Sequence, residues 1–165
     1  KAWKINDLGL DIIGRWDNRL LDKKYIYLQD EGDKYWIELD RENYAVRQIS
    51  MDTCGRYHLS CFEDCLAEGV FEEKCIEKII SKNEFQELWY SCLAKFMKQW
   101  EAVKAKYKIG SNVLGRVEYY YPQGTILKGS DFIALYSGRN NYRLHEEISV
   151  RIVKYDDDNM WLVVE

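Results

Sequence analysis

Cys54, His58, Cys61 and Cys65 place four soft ligands in one short stretch, with Cys75 a little beyond. Tetrahedral zinc accepts such sets. No pair of CxxC knuckles is present, and Cys61 and Cys65, at i and i+4, serve equally well as small buried residues on a short helix. No metal ligand is assigned. His58 and His145 are the only side chains that titrate near neutrality without a shifted pKa. Neither sits in a nucleophile elbow or a zincin helix, and no glycine-rich phosphate loop occurs. The sequence therefore predicts a protein that is not an enzyme, with no catalytic residue and no cofactor.

Two other groups point to binding. Arg116, Tyr120, Phe132, Tyr136 and Arg151 fall on strand-like runs in the last third of the chain. If Val113, Val117, Ile133, Leu135, Ile148, Val150 and Ile152 point inward, alternation turns those five outward. Exposed rings beside arginines hold single-stranded nucleic acid, each stacked base contributing about 1–3 kcal/mol. The competing reading is that the long helix or the N-terminal sheet covers this face. The second group is acidic. Asp30, Glu31, Asp33, Glu38, Asp40 and Glu42 surround two turns, and Glu63, Asp64, Glu68, Glu72 and Glu73 follow. Such a run steers a basic partner or is simply a solvated face.

These residues need elements to position them. Apolar residues recur at helical spacing from Phe85 to Tyr107, through Leu88, Trp89, Cys92, Leu93, Phe96, Met97, Trp100 and Val103. Ser81 with Glu84 makes a capping box, and Ile80 is placed to staple onto Phe85. Lysines 104, 106 and 108 suit the helix C-terminus, before Gly110. A helix over 82–107 follows. Ahead of it, alternation at Tyr25–Leu28, Tyr35–Leu39 and Tyr44–Ile49, with polar turns between, predicts an antiparallel meander, continued by a strand near Arg56–Ser60. Ser60 with Glu63 suggests a short helix broken at Gly69, and Phe71–Ile80 another. After Lys108 come five β runs: Asn112–Tyr121, Thr125–Lys128, Asp131–Tyr136, Glu147–Tyr155 and Met160–Val164, a set of the size that closes a small barrel.

The fold class expected is thus α+β, in two parts. Residues 1–107 form an antiparallel meander followed by helices and ending in the long one, and 108–165 form the barrel. Lys108-Ile109-Gly110, Val113, Gly115, Val117, Gly124, the run Ile148 to Asp156, and Asn159-Met160-Trp161-Leu162 resemble the S1 type of OB-fold. That resemblance implies a five-stranded Greek-key barrel whose outer face binds single-stranded RNA through aromatic and basic side chains. Thr125 and Ile126 stand where RNA-binding members carry aromatics after the central glycine. The segment Ser137–Glu146 keeps Arg139 and Arg143 but is short for a full helix.

The chain has 165 residues, 47% hydrophobic, and a formal charge of -4, which disfavours a protein held to nucleic acid mainly by its net charge. No window approaches a membrane-spanning length, and five unpatterned cysteines read as reduced thiols. The expectation is a cytoplasmic, bacterial-type binding protein with no membrane partner. Its barrel binds RNA or single-stranded DNA; the alternative is an acidic module that binds a basic protein, as an immunity protein neutralises a toxin.

Overall fold

The structure is a computed structural model that describes residues 23–60, 62–138 and 141–165. Cys61, Arg139 and the first 22 residues lie outside the described residues. Strands β1 (Lys24–Asp30), β2 (Asp33–Leu39), β3 (Ala45–Met51) and β4 (Tyr57–Leu59) form an antiparallel meander, and β5 (Lys78–Ile79) returns to the free edge of β1. The sheet order is β4-β3-β2-β1-β5.

The α+β expectation is overturned. Among the described residues strands predominate, and 82–106 is the one long helical segment. It comprises α1 (Lys82–Leu93), a 3-10 turn (Ala94–Phe96) and α2 (Met97–Lys106). The two short helices predicted before it do not form, for reasons visible in their hydrogen bonds. The Ser60 hydroxyl, expected to cap a helix, instead accepts from Gln48 N of β3 at 3.0 Å. Residues 71–80 supply a single 3-10 turn, Glu73–Cys75. They then pair with β1, Ile79 opposite Ile26, and Ile80 N donates to Tyr25 O. An unpaired strand edge outcompetes a segment with few apolar residues to bury as a helix.

The long helix starts as its capping signal requires, with Ser81 Oγ accepting from Glu84 N at 3.1 Å. Its buried residues are Phe85, Trp89, Cys92, Leu93, Trp100 and Val103. The 3-10 turn advances each residue by about 120° rather than about 100°. The apolar stripe loses phase there, and Met97 is left exposed.

Beyond the helix, β6 (Asn112–Tyr121), β7 (Gly124–Lys128), β8 (Ile133–Tyr136), β9 (Glu147–Asp156) and β10 (Trp161–Val164) close a barrel in the order β10-β8-β7-β6-β9. All contacts are antiparallel except the parallel β10–β8 closure. Val113, Val117, Leu127, Val150, Ile152 and Leu162 are buried in it.

One buried cluster runs from Tyr25 of β1 through the helix to Val164 of β10, so the helix joins sheet and barrel in a common core. A second, of Ile26, Ile37, Leu39, Ala45 and Leu66, fills the opposite face of the sheet. None of the helices among the described residues is long and apolar enough to cross a membrane.

Gly124 opens β7 at φ +147°, where a Cβ would stand 2.5 Å from the Tyr136 carbonyl oxygen. Strain and clash with backbone act together there. Gly124→Ala is expected to cost about 2–3 kcal/mol, read as a lowered midpoint in thermal unfolding.

Candidate functional site

Register places a polar row across the outside of the barrel. Arg116 of β6 lies opposite Lys128 of β7 on one side and Glu147 of β9 on the other. Two residues along, Leu114 faces Ser149, and beyond that Asn112 faces Arg151. Alternate residues of a strand share a face, so these side chains stand on one surface while Val113, Val117, Val150 and Ile152 fill the interior. Arg116, Lys128, Glu147, Leu114 and Asn112 of this row line an open groove of about 680 Å³ that reaches Tyr107 and Ser130, and Arg151 continues the row past it. Arg116 is half exposed and its guanidinium donates to Glu118 at 3.1 Å. Arg151 is more exposed, with Glu165 3.9 Å away. Contacts of that exposure are weak and readily exchanged for a ligand.

The other three predicted residues do not join the two arginines. The β6–β7 register shifts between Val117 and Tyr119. A bulge of this kind transfers the outward position from even to odd residues. Tyr119 and Tyr121 consequently stack on each other, centroids 5.7 Å apart, while Tyr120 points elsewhere and donates to the Tyr142 carbonyl at 3.0 Å. Tyr136 is half-buried and meets the Tyr142 ring edge-on at 5.5 Å, so Tyr120 and Tyr136 gather around Tyr142 at one end of the barrel. Phe132 is buried. Its ring lies on Gly129, where a Cβ would be 2.2 Å away, and packs edge-on against Tyr107 at 4.8 Å. An outward, base-stacking Phe132 is therefore excluded by the helix C-terminus that covers it.

The outer face of β7 and β8 is also occupied by the chain itself. Ile126 is buried beneath the segment that follows β4, in the neighbourhood of Phe62 and Tyr119. Tyr121 Oη donates to Ser60 O at 2.9 Å and accepts from Leu66 N at 3.2 Å, and Gln123 Nε2 donates to Val46 O. In small Greek-key barrels the face of the second and third strands is a common ligand surface. Here that surface docks the N-terminal sheet, and the row on β6, β7 and β9 is left open. Lys128, Asn112 and Leu114 share this row by the same strand alternation and cross-strand register that set Arg116 and Arg151 there.

Cys54, His58 and Cys65, the described members of the soft-ligand set, do not converge on a metal site. Cys54 and Cys65 are exposed, and His58 Nε2 lies 3.3 Å from Asp52 Oδ2. Asp52 also accepts from the backbone N of Cys54 and Arg56 and from the Arg56 side chain. The Arg56 backbone N–H first, then the His58 and Arg56 side chains, hold its carboxyl well below the usual range against the opposing effect of desolvation. Among the described residues no group of three or more His, Cys, Asp or Glu could hold a metal ion.

Part of the acidic run is engaged within the fold. Glu38 is buried between Lys23 and Arg47, Asp40 accepts from Glu42 N and Tyr44 N, Asp64 accepts from Ser50 Oγ, and Glu63 pairs with Lys95. The turn at Asp156–Asn159 has a structural use as well. Trp100 Nε1 donates to Asp157 and Tyr90 Oη to Asp158, each at 2.7 Å. That turn is the clasp by which the helix grips the barrel.

No family model matches this chain, and no curated protein does. Among solved structures, the chain is similar to a multidomain protein with nucleic acid binding domains from Streptococcus pneumoniae, at 9% identity and a TM-score of 0.32. The alignment covers 87% of this chain and 49% of that one, so the chain spans about half its length. A likeness at that level assigns neither fold nor function.

Proposed function

We propose that this chain is a non-enzymatic binding protein whose S1-like, OB-type barrel holds RNA or single-stranded DNA along the open face of β6, β7 and β9. The observation that carries the reading is the row Lys128, Arg116 and Arg151 on the barrel surface that the rest of the chain leaves uncovered. Phosphates contact the three cations, and Asn112 and Ser130 offer hydrogen bonds along the groove. Phosphate contacts give affinity that falls with salt, and they carry no base specificity. The predicted aromatic platform is replaced here by Leu114, so binding rests on charge more than on stacking. The free thiols of Cys54, Cys65, Cys75 and Cys92 support a reducing, cytoplasmic setting.

The immunity-protein reading has less support, since Glu38, Asp40, Glu63 and Asp64 are engaged within the fold and do not form a continuous free acidic face.

Fluorescence anisotropy with short labelled RNA and DNA oligomers, at low and moderate salt, tests the proposal. The Arg116→Ala, Arg151→Ala double variant is expected to bind about ten-fold more weakly, and its slope of log affinity against log salt should flatten by about 1.4 if two single-strand phosphate contacts are lost. Unchanged affinity and slope, or no binding by the wild type at low salt, would remove the proposal.

A further inference from the structure

A second surface lies at the other end of β6. Tyr44, Tyr119, Tyr120 and Leu144 are each at least 40% exposed around an open cleft of about 780 Å³. Single exposed apolar side chains need no explanation, but several around one concavity mark an interaction site. The small residues Ala67, Gly69 and Pro122 line the cleft with them. Two of the rings are also held in place, and the backbone that carries a third is fixed. Tyr119 is stacked on Tyr121, Tyr120 is tied through its hydroxyl to Tyr142 O, and Tyr44 is bridged through its backbone to Val70. Rings fixed before binding lose little entropy on contact.

The charge around the cleft is selective. Glu68 and Glu118 line it, and among the described residues no lysine or arginine does; His145 is the one basic side chain there. The Tyr119 phenol is pushed upward by burial first and then by neighbouring anionic groups, Glu118 and Asp64 among them. Glu118 is already paired with Arg116 at 3.1 Å, so the exposed Glu68 carries the charge here, and a cation is attracted to it and to the faces of the rings.

We infer that this cleft is a docking site for an extended, proline-rich segment of a partner protein that carries an arginine or lysine next to its prolines. Fixed tyrosines hold the flat pyrrolidine rings of a polyproline II segment, which is extended before it binds. Glu68, exposed on the rim, takes the flanking cation. The site is distinct from the barrel row, so it stands independently of nucleic-acid binding.

The test is an amide NMR titration of the isotope-labelled chain with two synthetic peptides, a proline-rich one bearing arginines and the same peptide with glutamates in their place. The arginine peptide is expected to shift the amides of Ala67, Gly69 and Tyr119 and to bind about ten-fold more tightly than the glutamate peptide. Tyr119→Ala is expected to weaken it about ten-fold, the loss of one anchoring ring. Glu68→Gln, an isosteric change on an exposed side chain, should remove the preference for arginine while leaving the melting temperature unchanged. Arg151→Ala, on the other face, should leave peptide binding intact. No shift with the arginine peptide, equal affinity for the two peptides, or movement of these amides by an oligonucleotide alone would overturn the inference.

Discussion

Replacing Arg47 with alanine is expected to destabilise the protein by about 3–5 kcal/mol, the cost of stranding a buried charge. Glu38 on β2 is 1% exposed and lies directly opposite Arg47 on β3. Its carboxylate pairs with the Arg47 guanidinium and with Lys23 Nζ at 2.7 Å. Arg47 in turn lies over the Phe85 and Trp89 rings, at 5.1 and 5.0 Å from their centroids, so it ties the sheet to the helix as well. Without it, Glu38 keeps Lys23, which is partly exposed, and the long hydrogen bond from the neutral Tyr25 hydroxyl. Urea unfolding of Arg47→Ala, Glu38→Gln and the Glu38→Gln, Arg47→Met double variant separates the contributions. The double variant is expected to recover most of the loss, because replacing both partners leaves no charge uncompensated. Equal stability of Arg47→Ala and wild type would mean that water reaches Glu38.

The same pair sets the response to pH. Burial alone would raise the Glu38 carboxyl, but the attraction of Arg47 and Lys23 outweighs it and holds the group below its ordinary value. Its contribution is therefore present above the unfolded value of about 4.3 and is lost as pH falls through the lower folded value. Wild type should weaken in acid more steeply than Glu38→Gln. Tyr25, which donates to Glu38 at 3.4 Å, behaves oppositely, its phenol pushed up to about 12 by burial and then by the Glu38 charge. Its contribution holds below about 10 and disappears as pH rises toward about 12.

What the sequence reveals follows from how local each cause is. The long helix was legible because Phe85, Trp89, Cys92, Leu93, Trp100 and Val103 repeat at its own period and Ser81 caps it. Barrel strands were legible through the alternation of Val113, Gly115 and Val117 and of Ile148, Val150 and Ile152. Arg116 and Arg151 could be placed on one face because the register of β6 and β9 is regular between them. Tyr120 could not, since the bulge after Val117 reverses parity and leaves no mark in the residue types. Phe132 looked outward because strand alternation cannot anticipate that Tyr107, at the end of the helix, will close over it. The helices expected at 60–67 and 71–80 failed for a similar reason. Their capping and apolar signals were genuine but local, and the partners that won, Gln48 N for the Ser60 hydroxyl and the edge of β1 for Ile79, are distant in the chain.

Trp89→Ala is the other variant expected to cost about 3–5 kcal/mol, here by leaving a cavity. The indole is fully buried, stacks on Phe85 at 5.9 Å, lies beneath Arg47, and donates through Nε1 to the Asp158 carbonyl at 2.7 Å. One side chain thus touches the sheet, the helix and the turn between β9 and β10. Trp89→Phe keeps much of the ring and removes the donor, so it should cost about 1–2 kcal/mol from the unpaired carbonyl and the smaller volume. Trp100→Phe supplies the matching control, because Trp100 Nε1 donates to the Asp157 side chain, which also has Lys104 as a partner at 3.0 Å. Losing that bond should matter less, since Asp157 is exposed and can be solvated. The ordering expected in thermal unfolding is Trp89→Ala, then Trp89→Phe, then Trp100→Phe. If Trp89→Phe were as damaging as Trp89→Ala, the hydrogen bond to the turn would be what fastens the barrel to the helix. If it were neutral, burial of the ring alone would hold the two together.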